Sequence, residues 1–157
     1  MGSTEDIPRK KKPSHSDTIT IDRALFKSNA WLSLTGIAPQ ILTLFLLRRQ
    51  MVQANRKKGR NNWVCTNNGE LVFTYVDAKE KYGILQSRFI RAIDDLIDHG
   101  FLDIATPANS LIKQPTKYGL SERWKKYDTP EFKEVSRAKR NITIGFCKPR
   151  KKAQKQN

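Results

Sequence analysis

VDAKEKYGILQSRFIRAIDDLIDHGFLDIATPANSLIKQPTKYGLSERWKKY, residues 76–127, passes from one structural element to the next with few residues to spare. Residues 78–82 predict a short polar helix, with Thr74 or Asp77 as its cap and Gly83 as the left-handed residue that ends it. Ile84 and Leu85 fill the turn. From Gln86 to His99 the apolar residues Phe89, Ile90, Ile93, Leu96 and Ile97 fall at i, i+1, i+4, i+7 and i+8, the buried stripe of an α-helix. After His99 and Gly100, residues 101–104 predict a strand, Thr106 to Lys117 a polar loop, and residues 118–121 the return strand. Ser121 then caps a last short helix over 122–127, whose Trp124 packs on the domain.

Two helices joined by a tight turn and followed by a strand, a loop and a strand describe a helix-turn-helix with a wing. On the exposed face of the second helix the first half offers Gln86, Ser87, Arg88 and Arg91, and the second half offers Asp94, Asp95 and Asp98. In this architecture the N-terminal residues of the second helix reach base edges, where Arg and Gln make bidentate contacts with guanine and adenine. The alternative is that Arg88 and Arg91 merely pair with Asp95 and its neighbours at i+3 or i+4, at about 0.2–0.5 kcal/mol per pair. The wing holds Lys113 and Lys117 with Asn109, Gln114, Thr116 and two prolines, and its lysines suit phosphates or the minor groove. The plainer alternative is an exposed loop with two lysines. Arg123, Lys125 and Lys126 add to the basic surface.

Upstream, Ser28 caps a short helix carrying Trp31, Leu32 and Leu34. Pro39 opens a nearly all-buried helix, Gln40 to Ala54, with Ile41, Leu42, Leu44, Phe45, Leu46 and Leu47. Its far end turns basic through Arg48, Arg49 and residues 56–60, which suits the helix dipole. Residues 63–66 and 71–75 predict a hairpin turning at Asn67-Asn68-Gly69, with Trp63 and Phe73 in the core. The composition predicts a disordered basic arm over 1–18, the domain over 19–128, a C-terminal extension over 129–147 with a short helix expected over 131–140 and a brief strand over 142–146, and a disordered basic tail over 148–157.

The 157 residues suit one domain, and 30 Lys+Arg against 15 Asp+Glu give a net charge of +15. That balance favours a polyanionic partner, nucleic acid above an anionic membrane, over a solvated basic protein with no such partner. Cys65 and Cys147 form no metal-ligand or disulfide pattern, so a reduced compartment is expected: cytoplasmic, and nucleoid-associated in a bacterium. No run reaches the roughly 20 apolar residues of a spanning helix, and no secretory signal is expected.

The string GILQSRFIRAIDDLIDHGFLDI, followed by a polar loop and KYGLSERW, resembles the winged-helix family of DNA-binding domains over about residues 71–127. The features that carry the likeness are the small-residue turn, Arg91-Ala92-Ile93 in mid-helix, and Leu96 followed by His99-Gly100-Phe101-Leu102. RALFKSNAWLSLTGIAPQILTLFLL, residues 23–47, is more loosely similar to the openings of phage and plasmid replication-initiation and replisome-organiser proteins. The resemblance implies an α+β fold, a single winged helix-turn-helix domain with an N-terminal helical extension and basic tails.

The expected function is duplex-DNA binding in transcription regulation or mobile-element replication, with recognition helix 86–99 in the major groove and the wing and arms on the backbone. The recognition contacts are Gln86, Ser87, Arg88 and Arg91, and the wing and backbone contacts are Lys113, Lys117, Arg123 and Lys125. RNA binding, or an adaptor role in a replication complex, is the alternative. No enzyme is expected, because His15 and His99 stand in no catalytic grouping and no phosphate loop or metal spacing occurs. No catalytic residue, metal or cofactor is therefore expected; beyond nucleic acid, the partners to expect are a second copy of the chain, as a homodimer, or a replication protein.

Overall fold

In the computed structural model, residues 19–55 and 62–137 are described, and they form a mixed α+β fold. The expectations for 1–18, 56–60 and 138–157 lie outside the described residues. Two short helices open the fold, α1 (Arg23–Phe26), capped by Asp22, and α2 (Asn29–Ser33). Ser28 Oγ accepts from the Trp31 amide at 3.2 Å, which caps α2 as its sequence predicts.

Helix α3 (Ala38–Leu47) is shorter than expected. It was predicted to run to Ala54, but the chain leaves the helix at Arg48, and β1 (Met51–Asn55) follows. The side chain of Asn67 stops it: Nδ2 donates to the Arg48 carbonyl at 2.9 Å, and Oδ1 accepts from the Gln50 amide at 2.8 Å. Both groups would otherwise continue helical hydrogen bonds. Burial had already ended at Leu46, and Leu47 is half exposed.

The expected hairpin between 63–66 and 71–75 is also corrected. Strand β2 (Asn62–Cys65) pairs antiparallel with β1, Val52 opposite Val64, and not with β3 (Leu71–Val72). Asn67-Asn68-Gly69 does turn, with the Glu70 amide bonded to the Asn67 carbonyl at 3.0 Å and Gly69 at φ +89°, but it joins two different sheets. The amide of Asn68 stands in for a strand residue: it accepts from the Leu120 amide at 2.7 Å and donates to the Leu120 carbonyl at 3.1 Å. Phe73, expected on a strand, lies beyond β3 yet is buried, whereas Trp63 is only half-buried.

The elements within residues 75–120 follow the sequence closely. Helices α4 (Tyr75–Tyr82) and α5 (Gln86–Asp98) are joined by Gly83-Ile84-Leu85, then β4 (Leu102–Thr106) and β5 (Lys117–Leu120) form an antiparallel pair. Strand order in the three-stranded sheet is β3-β5-β4, with Tyr118 opposite both Leu71 and Ile104. A bulge between Ile104 and Thr106 bends β4 just before the loop. A 3-10 turn (Arg123–Lys126) replaces the expected final helix. Residues 131–137 are not helical as expected; they lie back on the domain, with Phe132 edge-on to Tyr127 at 5.3 Å.

Helix α5 organises the core by packing against α3, α4 and β4. Its Ile93, Leu96 and Ile97 are fully buried, each contributing roughly 1.5–3 kcal/mol, and Phe89 and Ala92 are nearly so. Phe73 joins the three helices, with ring centroids 5.1 Å from Phe89, 5.5 Å from Phe45 and 6.1 Å from Tyr82. At the C-terminus of α5, Gly100 (φ +80°) passes so close to the 3-10 turn that a Cβ would lie 2.8 Å from both Arg123 Cβ and the Trp124 amide nitrogen. Only glycine fits there.

Candidate nucleic-acid interface

The junction between α4 and α5 fixes which end of α5 faces outward. Thr74 caps α4, its Oγ1 accepting from the Asp77 amide at 3.1 Å, and Gly83 ends it in the left-handed region at φ +66°. The Gly83 amide bonds to the Lys79 carbonyl and the Ile84 amide to the Ala78 carbonyl, each at 3.0 Å. Ile84 drops into the core and Leu85 stays 60% exposed at the N-cap of α5. Leucine has no acceptor, so among the described residues no side chain caps this helix. Its first amides, on Gln86, Ser87 and Arg88, therefore stand at the positive end of the dipole with no side-chain hydrogen bond from the described residues.

Gln86, Ser87, Arg88 and Arg91 are all exposed, and among the described residues none has a hydrogen bond or ion pair from its side chain. The intrahelical pairing weighed for the arginines is absent because the carboxylates are engaged elsewhere. Asp95 accepts from the Thr35 amide at 2.8 Å and from its hydroxyl at 3.0 Å, and lies 3.1 Å from His99 Nδ1. Asp94 holds Arg137, with Nη2 2.9 and 3.1 Å from its two oxygens. Asp98 is exposed and has neither a hydrogen bond nor an ion pair among the described residues, and partial desolvation of its carboxyl, followed by the nearby Asp94 charge, raises it above the usual range. Asp94 and Asp95 are thus tied into the protein, while the first half of α5 presents free donors.

The four residues expected to contact backbone divide. Lys113 lies at the tip of the β4–β5 loop, exposed and at φ +52°. Lys117 lies in β5 rather than in the loop, and its ammonium is matched to Glu70. Arg123 is held inward. Its guanidinium binds Asp103 through Nε at 3.0 Å and Nη2 at 2.6 Å, and also reaches the Ile97 carbonyl at 3.1 Å, Leu102 at 3.2 Å and Lys133 at 3.0 Å. It therefore joins the end of α5, β4 and the C-terminal segment. Lys125 is half exposed, 2.8 Å from Glu122 and 5.8 Å from the Trp124 ring centroid.

The sequence reading also overlooked two residues, since it treated the loop as polar. Leu111 is 92% and Ile112 66% exposed at the loop tip. Two adjacent apolar residues between Asn109-Ser110 and Lys113-Gln114 were the available signal.

Charge is unevenly spread along the chain. Half of the 30 Lys and Arg residues, but only three of the 15 acidic ones, fall in residues 1–18, 56–61 and 138–157. The described residues are therefore close to electrically balanced. No helix among them is long and apolar enough to cross a membrane. No protein-family model matches the chain, and neither the comparison with curated proteins nor that with solved structures returns a match.

Proposed function

We propose that this chain is a winged-helix protein that binds duplex DNA, with α5 as its recognition helix and the β4–β5 loop as its wing. It acts as a binding protein rather than an enzyme, in transcription regulation or mobile-element replication. Support for the fold name is the succession β3, α4, α5, β4, β5 with strand order β3-β5-β4, preceded by α3 and by the separate β1–β2 pair. The observation that carries the function is the freedom of Gln86, Ser87, Arg88 and Arg91 while Asp94 and Asp95 are tied to Arg137, Thr35 and His99. Cations with acidic neighbours one turn away would ordinarily form weak helix pairs. Here they stand unpaired beside uncapped amides, a combination suited to base edges and to a phosphate at a helix N-terminus.

In this reading most of the affinity comes from the basic segments on either side of the domain and from the 56–60 run, and the domain supplies register and sequence preference. The test is fluorescence anisotropy with a labelled duplex at two salt concentrations. Log affinity is expected to fall against log salt with a slope of about −0.9 per phosphate neutralised. Absent or salt-independent binding would overturn the proposal. Competition by hairpin RNA stronger than by duplex DNA would replace it with an RNA-binding role.

A further inference from the structure

The loop between β4 and β5 ends in a tightly built turn. Asn109 and Gln114 exchange two backbone hydrogen bonds of 2.9 Å, the Lys113 amide reaches the Ser110 carbonyl at 3.3 Å, and Asn109 Oδ1 accepts from the Leu111 amide at 3.0 Å. Backbone groups and one asparagine side chain thus fix the turn without help from the side chains of Leu111 and Ile112. Yet those two are the residues it holds out, and Leu111 is the most exposed large apolar residue among the described residues. From Ile104 to Ser121 the sequence has no carboxylate, and its charges are Lys113, at the tip, and Lys117, already matched to Glu70.

We infer that Leu111 and Ile112 are a wedge that enters the minor groove of duplex DNA and opens a base step, with Lys113 on the adjacent phosphate. The inference rests on the duplex-binding reading above and adds a deformation of the DNA to it. Three observations point to this occupant. A two-stranded tip with strands about 4.8 Å apart suits, edge-on, a groove about 6 Å wide and 7.5 Å deep. Branched aliphatic side chains at such a tip partly unstack a step and kink the duplex. Two apolar residues also cover far less than the roughly 800 Å² per partner of a stable protein interface, and a carboxylate-free tip favours a polyanion.

The experiment uses the full chain and a mixed-sequence duplex of about 20 bp, roughly 70 Å long, with a fluorescence donor and acceptor at its two ends. Binding of the wild type is expected to raise energy transfer as the ends approach through a kink of about 20–90°. Leu111→Ser with Ile112→Ser is expected to abolish that rise and weaken binding about tenfold while leaving the salt slope unchanged. Lys113→Ala is expected to keep the rise and reduce the salt slope by about one.

Wild-type binding with no change in energy transfer, or a rise that survives the double substitution, would overturn the wedge and leave duplex binding standing. No binding by the wild type would overturn both. An unchanged rise with loss of self-association in sedimentation would assign the tip to a protein surface instead, and overturn the wedge.

Discussion

Asp95, in the middle of α5, accepts two hydrogen bonds from Thr35, one from its amide at 2.8 Å and one from its hydroxyl at 3.0 Å. Thr35 stands 60 residues earlier, at the turn that leads into α3. The contact fixes where α3 begins relative to α5, and it withdraws from Arg91 the carboxylate at i+4. A single side chain thereby links the packing of the core to the charge presented on the opposite half of α5.

Asp95→Ala removes these two bonds and the carboxylate's 3.1 Å approach to His99 Nδ1, while the contact of His99 Nδ1 with the Asp95 backbone carbonyl remains, and it leaves the Thr35 hydroxyl and amide to water. The expected cost is about 1–2 kcal/mol, the size of a lost cap, measured as a lower urea midpoint at unchanged slope. An Asp95→Ala variant as stable as the wild type would show that Thr35 does not anchor the turn.

Arg123 separates a structural cation from a phosphate contact. Arg123→Met keeps much of the apolar stem but leaves Asp103 unpaired and the Ile97 and Leu102 carbonyls without this donor. Because Asp103 is nearly half exposed, the ion pair itself is worth little, and the expected loss is about 1–2 kcal/mol. The salt slope of DNA binding is expected to stay unchanged for the folded variant. A slope reduced by about one, with no loss of stability, would return Arg123 to the backbone contacts.

The stretch 75–104 was legible because each boundary has a local cause. Thr74 and Gly83 cap α4, and the 3.6-residue apolar period of α5 has one way to be buried. The stretch 47–75 was not, since long-range amide contacts decide it. Asn67 and Asn68 are turn formers by local rule, yet here their side chains reach across to Arg48, Gln50 and Leu120, ending one helix and extending one sheet. The same limit applies to the site. The sequence assigned Arg88 to bases and Arg123 to the backbone, but nothing in it showed that Arg123 is held inward while Arg88 is free. That difference depends on Asp103, Ile97 and Leu102 meeting around one guanidinium.

Two carboxylates give opposite pH effects. Partial desolvation, then Asp94, raises the exposed Asp98 carboxyl above its ordinary range, so the small stability it contributes is present below the unfolded value of about 3.9 and is lost as pH rises through the folded value. Asp98→Asn is therefore expected to be more stable than the wild type near neutral pH, with the advantage vanishing at about pH 3. Asp77 behaves in reverse. The hydrogen bond to Lys81, with that to Thr74, lowers its carboxyl, so its contribution is present above the unfolded value and is lost as pH falls through the folded one. Urea melts of Asp98→Asn, Asp77→Asn and wild type across that range check both signs, and an Asp98→Asn gain that persists at low pH would exclude titration as its cause.

Arg88 and Arg91 are the substitutions on which the recognition role of α5 depends. Both are exposed and without a partner among the described residues, so replacing either by Ala is expected to change stability by less than about 0.5 kcal/mol. Any change in DNA binding therefore reports on contact rather than on folding. A bidentate contact with guanine gives about 1–3 kcal/mol of discrimination, so Arg88→Ala is expected to narrow the gap between preferred and random duplex by that amount. A phosphate contact would instead weaken all sequences alike and lower the salt slope by about one. Selecting a preferred duplex from a random pool with the wild type, then measuring both variants on it and on random DNA at two salt concentrations, distinguishes the two roles residue by residue. If both variants bound every duplex as the wild type does, α5 would present its free half to something other than DNA.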